Sequence, residues 1–210
     1  MIRQLTLLLF LVISSAGPCF AEAGTMKLED MIQRSKYIVF ARVTRVKVVD
    51  DVKLAELEVS CVLKGDSNVT RLYYWASPAW ACDVSDARAG EEALFFLWYP
   101  DLNVPPSKQH LRFLKRAYPF TQGATIYLIQ HSGRGRLKPK FINGEGFLYV
   151  HKSSDVIFPP TIEIVAHPDP KDPGLGLVRL KDVLSFIEGT LVRAPHNKSL
   201  DASGGSVFLN

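Results

Sequence analysis

The chain has 210 residues, 47% of them hydrophobic, and 25 Lys plus Arg stand against 21 Asp plus Glu for a net charge of +4. That balance is too small to argue for nucleic acid or a membrane surface, and no internal stretch is apolar over the ~20 residues a bilayer span needs. What remains is a globular protein long enough to bury a core without relying on disulfides.

Residues 1–21 read as a secretory signal. Arg3 supplies the positive charge, 5–13 form an apolar core interrupted only by Thr6, and Ser14, Ser15, Ala16 and Gly17 follow. Cleavage after Ala21 or after Ala23 satisfies the small-residue rule. Cleavage before Cys19 would put Pro18, with its locked ring, at the cut. The mature chain is then about 187 residues, a single domain over 22–192 with a disordered, polar tail at 193–210, in a secreted or periplasmic protein.

The mature part opens on a short amphipathic helix, with Thr25 as its cap and Leu28, Met31 and Ile32 on one face. A β-branched run at 35–49 predicts one bent strand, whose alternation slips near Val43 to Val46 as at a bulge. Residues 53–63 predict a second strand, 64–67 a turn and 68–75 a third strand. The loop 76–89 carries Cys82. The apolar run 93–99, ALFFLWY, predicts a strand covered on both sides. After the proline-rich connection 100–108, residues 110–117 form a short helix or an irregular strand, and 125–131 a strand followed by the turn SGRGR. Two strands, 137–142 and 145–150, flank Asn143-Gly144, the strongest hairpin signal in the chain. A short strand at 161–166, a rigid loop HPDPKDPG and a helix over 180–188, stopped by Gly189, complete the pattern. Many short strands with helices only at the ends predict a small closed or sandwich-like β structure.

Two cysteines survive processing, Cys61 and Cys82. The alternation of Ala55, Leu57, Val59, Cys61 and Leu63 with polar residues places Cys61 on the buried face of its strand. In an exported chain a Cys61–Cys82 disulfide follows, closing a loop of about 20 residues and stabilising by ~3 kcal/mol. Two buried thiols are the alternative. Neither cysteine has a His or Cys at metal-ligand spacing.

The stretches "SKYIVFARV", "ELEVSCVLKGD", "AGEEALFFL" and "GRGRLKPKFINGEGFLYV" resemble netrin-like, tissue-inhibitor-of-metalloproteinase-like modules over about residues 25–150. "VLKGD" and "GEEALFFL" look like exported bacterial members of that group. The resemblance implies a mainly β, OB-like small barrel with a short N-terminal helix and a C-terminal helix. In the inhibitors, an N-terminal cysteine chelates the protease zinc. Here the mature chain would start at Glu22 or Gly24, so no residue inherits that role.

No nucleophile motif appears, and GRGR at 133–136 lacks the helix and Lys-Ser or Lys-Thr pair of a phosphate loop. His110, His131, His151, His167 and His196 form no ligand pair, and the His167–Asp172 loop is read as stiff rather than metal-binding. No catalytic residue, metal or cofactor is therefore expected. The aromatic cluster Tyr73, Tyr74, Trp75 and Trp80 is the most informative surface candidate. OB-type barrels stack ligands on aromatic rings beside basic groups, here Arg71 and Lys64. Core packing is the competing reading, since alternate residues of that strand must face inward. Asn68 and Asn197 lie in glycosylation sequons, meaningful in a eukaryotic source. The expected function is an exported, non-enzymatic binding protein with a protein or carbohydrate partner, without nucleic acid or a stable membrane span. A metalloprotease-inhibitor-like protein is the alternative.

Overall fold

The computed structural model describes residues 25–77, 85–99, 108–131, 133–151, 156–166 and 175–193. Its elements are β1 (Met26–Lys27), α1 (Leu28–Arg34), β2 (Tyr37–Val49), β3 (Val52–Lys64), β4 (Arg71–Trp75), β5 (Glu92–Trp98), α2 (Lys108–Thr121), β6 (Ile126–Ile129) and β7 (Arg136–Leu137). They continue with β8 (Pro139–Ile142), β9 (Glu145–His151), β10 (Val156–Ile157), β11 (Ile164–Ala166), β12 (Leu175–Arg179) and α3 (Leu180–Arg193).

Five strands close into a barrel in the order β2-β3-β4-β6-β5, with β5 returning to pair with β2. All these pairings are antiparallel except β4 with β6, which is parallel. Numbered along the barrel this is 1-2-3-5-4-1, an OB-like closure that leaves no free edge on the five strands. The chain turns from β2 to β3 through Asp50 and Asp51, both left-handed at φ 50° and 64°. Short aspartates tolerate that conformation better than bulky residues do.

The ladder between β2 and β3 is broken three times. Thr44 is extra on β2, at the slip predicted near Val43 to Val46. Ser60 and Leu63 are extra on β3, because Phe40 pairs with Cys61 while Ala41 pairs with Val59, and Ile38 with Lys64 while Val39 pairs with Val62. Bulges bend a strand sharply, which lets these long strands wrap a small barrel. They also reset which face each side chain takes.

Two cores meet at β5. Ala93, Phe95 and Leu97 point into the barrel with Val39, Ala41, Val43, Leu57 and Tyr74. Leu94 and Phe96 point outward onto α1, α3 and a second antiparallel sheet, β11-β12-β9-β8. Both faces of β5 are thus covered, as its continuous apolar run predicts. In that outer core Leu28, Met31 and Ile32 of α1 are completely buried, with Leu148 of β9 and Val183 and Ile187 of α3. Lys64 fastens the barrel to α1 by donating to the carbonyls of Ile32 (2.7 Å) and Gln33 (2.8 Å). Burial, with a smaller contribution from Lys36, holds its ammonium below the ordinary lysine value. The next residue, Gly65, has φ 111°, and a Cβ there would sit 2.3 Å from Cδ1 of Tyr37, so backbone shape and space both require glycine.

The hairpin at Asn143-Gly144 forms as its sequence dictates, with Ile142 opposite Glu145 and both turn residues at positive φ. Several expectations are corrected. Lys27, not Thr25, precedes α1, because Met26 and Lys27 are drawn into a parallel pairing with β10. The helix α3 runs through Gly189 to Arg193. Thr190 is buried and Leu191 packs on the core, so tertiary contact outweighs the glycine stop signal. A strand at Leu175–Arg179 went unseen, since its glycine and its pairing with β9 leave little local pattern. The largest correction is α2, a full helix of 14 residues in the middle of the chain rather than a short element. The segments holding Trp80, Cys82, the 167–174 loop and the 194–210 tail lie outside the described residues.

Candidate functional site

Strand β4 alternates strictly. Leu72 and Tyr74 enter the barrel, while Arg71, Tyr73 and Trp75 share its outer face. Opposite them on β3 stand Glu58, Glu56 and Leu54 in register. This is the strand-2/strand-3 face on which OB barrels hold their ligands. Of the expected stacking surface, Arg71, Tyr73 and Trp75 are together on it, whereas Tyr74 is buried inside the barrel and Lys64 is bonded to α1.

It is not open. The helix α2 lies across it, in the connection between the fourth and fifth barrel strands. Phe113 meets Trp75 with ring centres 5.1 Å apart, and Phe120 meets Tyr73 edge-on at 5.5 Å. Phe113, Ala117 and Phe120 join Val49, Leu54 and Tyr73 in a small separate core. Tyr73 is 3% exposed and Trp75 half-buried, so the packing role of these rings wins over stacking in this structure. Trp80 lies outside the described residues.

A polar clamp borders the roof. The Glu56 carboxylate is almost fully buried and meets two arginines: Arg45 from β2, whose Nε donates at 3.0 Å, and Arg71, whose Nε lies 3.3 Å away. Thr44, the bulge residue, places Oγ1 3.4 Å from the same carboxylate. The hydrogen bond to Glu56, and then the charge of Glu56, push the Arg45 guanidinium above its ordinary value. Arg71 and Arg45 are therefore largely spoken for, which leaves less positive charge for a ligand than the sequence promised.

The outer surface of the roof has a different chemistry. Helix α2 contains Lys108, Arg112, Lys115 and Arg116 and no acidic residue. Arg116 pairs with Asp50 of the β2–β3 turn. Leu111, Leu114 and Tyr118 are 40%, 39% and 60% exposed. At 100° per residue these three form one ridge, and Lys115 and Arg112 run along its side. The sequence reading missed this face because Pro119 and the mixed polarity of 108–121 obscured the helix. Two signals were present: Phe113, Ala117 and Phe120 at helical spacing, and a run of 14 residues without a carboxylate.

Elsewhere the outer wall of β2, β3 and β5 carries an open depression of about 510 Å³ lined by Phe40, Arg42, Glu58, Ser60, Glu92 and Pro139 among others. Most of its polar groups already have partners: Arg42 bonds Glu92, and Ser60 donates to the Phe40 carbonyl at 3.1 Å. Next to it, Cys61 corrects the expected burial. The Ser60 bulge turns it outward, and it is an exposed, free thiol. The expected bridge is not seen, and Cys82 is outside the described residues. Asn68 is exposed in the turn before β4, where its N–H bonds the Asp66 carboxylate at 2.9 Å; Asn197 lies outside the described residues. Among the described residues no three His, Cys, Asp or Glu side chains gather as a metal site, and no helix is long and apolar enough to cross a membrane.

No protein-family model matches the chain, and no curated protein matches it either.

Proposed function

We propose that this chain is an exported binding protein without catalytic activity, and that it makes contact through the outer face of α2 rather than through the groove of its barrel. One observation carries this reading. The face that OB-like barrels offer to ligands is filled by Phe113 and Phe120, while the helix that fills it leaves Leu111, Leu114 and Tyr118 in water beside Arg112 and Lys115, which have no acidic partner among the described residues. Exposed apolar side chains grouped within a charged rim mark interaction surfaces more often than they mark chemistry. The metalloprotease-inhibitor alternative needs a cysteine at the mature N-terminus, and that region lies outside the described residues.

The test is direct. Purified mature protein incubated with a panel of peptide, ester, glycoside and phosphate substrates gives no turnover. Reproducible turnover abolished by a single side-chain substitution overturns the reading.

A further inference from the structure

We propose that the outer face of α2 docks on an anionic lipid surface, an inference that rests on reading α2 as the contact face. The charge of the whole chain is modest, but its placement is not. Arg112 and Lys115 are exposed on a helix devoid of carboxylates, and neither has an acidic partner among the described residues. They flank the ridge of Leu111, Leu114 and Tyr118. A basic helix carrying an apolar stripe and an aromatic ring with a polar tip has the chemistry of the headgroup boundary, where the stripe enters the acyl region and the cations meet phosphates.

The geometry favours a lipid surface over an acidic protein. A protein groove that receives a helix wraps most of its apolar face. Here half of that face, Phe113, Ala117 and Phe120, is already spent on the barrel. What protrudes is a single convex ridge with cations beside it. A planar surface needs no more than that.

The experiment is vesicle co-sedimentation of the mature full chain with phosphatidylglycerol or phosphatidylcholine, with soluble polyglutamate as the acidic-polypeptide probe. Two double variants accompany it, Arg112→Gln/Lys115→Gln and Leu114→Asn/Tyr118→Asn. All four side chains are exposed, and a thermal melt confirms that each variant folds. Should either double variant unfold, the single changes Lys115→Gln and Tyr118→Gln replace it.

The wild-type chain is expected to sediment with phosphatidylglycerol and not with phosphatidylcholine. Its affinity should fall about fivefold for each cation removed and drop sharply in the apolar variant. Binding that survives Leu114→Asn/Tyr118→Asn unchanged is simple adsorption of charge and overturns the proposal. So does absence of binding to phosphatidylglycerol. Polyglutamate binding without vesicle binding, lost in Arg112→Gln/Lys115→Gln, overturns the lipid assignment while leaving α2 as the contact face. Turnover in the substrate panel would instead sink the binding-protein reading itself.

Discussion

The guanidinium of Arg45 lies over the ring of Phe120, 5.2 Å from its centre. Arg45 belongs to a barrel strand and Phe120 to the last turn of α2, so this contact joins the roof to the wall. The same guanidinium donates to the buried Glu56 carboxylate, and Phe120 in turn meets Tyr73. Charge, cation–π attraction and ring packing therefore converge at one end of the helix.

Truncating the ring should release the roof. Phe120→Ala is expected to lower stability by about 3 kcal/mol, the lower end for a buried phenylalanine because this core is small and near the surface. Denaturant unfolding measures the loss. Tryptophan emission should shift to the red as Trp75 loses its cover, and limited proteolysis should begin within 108–121. A wild-type midpoint and unchanged emission would show that α2 holds without this contact.

A second prediction concerns Glu91 and Arg136, whose side chains are each only 9% exposed. Glu91 Oε1 lies 3.3 Å from Arg136 Nε and 3.0 Å from Lys138 Nζ, and Arg136 also donates to the Asp86 carbonyl. Removing one partner strands a buried charge. Glu91→Leu should therefore cost ~3–5 kcal/mol, whereas Glu91→Leu/Arg136→Met should recover most of it. Equal losses in the single and double variants would place the stability in something other than the pair.

Much of this fold was legible in the sequence because its signals are local. The slip at Val43 to Val46, the doubly covered β5 and the Asn143-Gly144 hairpin each follow from a few neighbouring residues. The strand that joins the second sheet was not legible, since Leu175–Arg179, between β9 and β11, is a strand only through its pairings. Cys61 was misplaced for a related reason. A period of two fixes a face only while the ladder is unbroken, and Ser60 breaks it one residue earlier. At the site, the phase of Arg71, Tyr73 and Trp75 was right. What covers that face depends on α2, whose Phe113 lies 38 residues beyond Trp75, and no local pattern announces such a contact.

Alkaline pH should weaken the fold through its tyrosines. Burial, reinforced by neighbouring Tyr37, pushes the Tyr127 hydroxyl up to about 12 from an ordinary 10, and burial raises that of Tyr74 further. Tyr37 packs edge-on against Tyr127 at 5.4 Å. The folded state holds these protons where the unfolded chain has lost them. Their contribution is complete below pH 10 and declines as pH rises from about 10 through 12. Ultraviolet titration should show a tyrosine subset that ionises only near or above pH 12, and Tyr127→Phe should move the alkaline unfolding midpoint upward. A single tyrosinate transition near pH 10 with the fold intact would refute the assignment.

The last prediction separates two states of Cys61. If the thiol is free and exposed, as its position beside the Ser60 bulge has it, Cys61→Ser removes no bridge and fills no core space. Stability should then change by no more than ~0.5 kcal/mol, the range for surface substitutions. A structural disulfide from Cys61 would instead make the same change cost ~2–5 kcal/mol. The native protein should also react with a thiol reagent at Cys61 without denaturant, and peptide mapping identifies the modified residue. A large loss of stability together with an unreactive Cys61 would mean that the protein closes the bridge after all. In that case the reagent should reach Cys61 only after reduction.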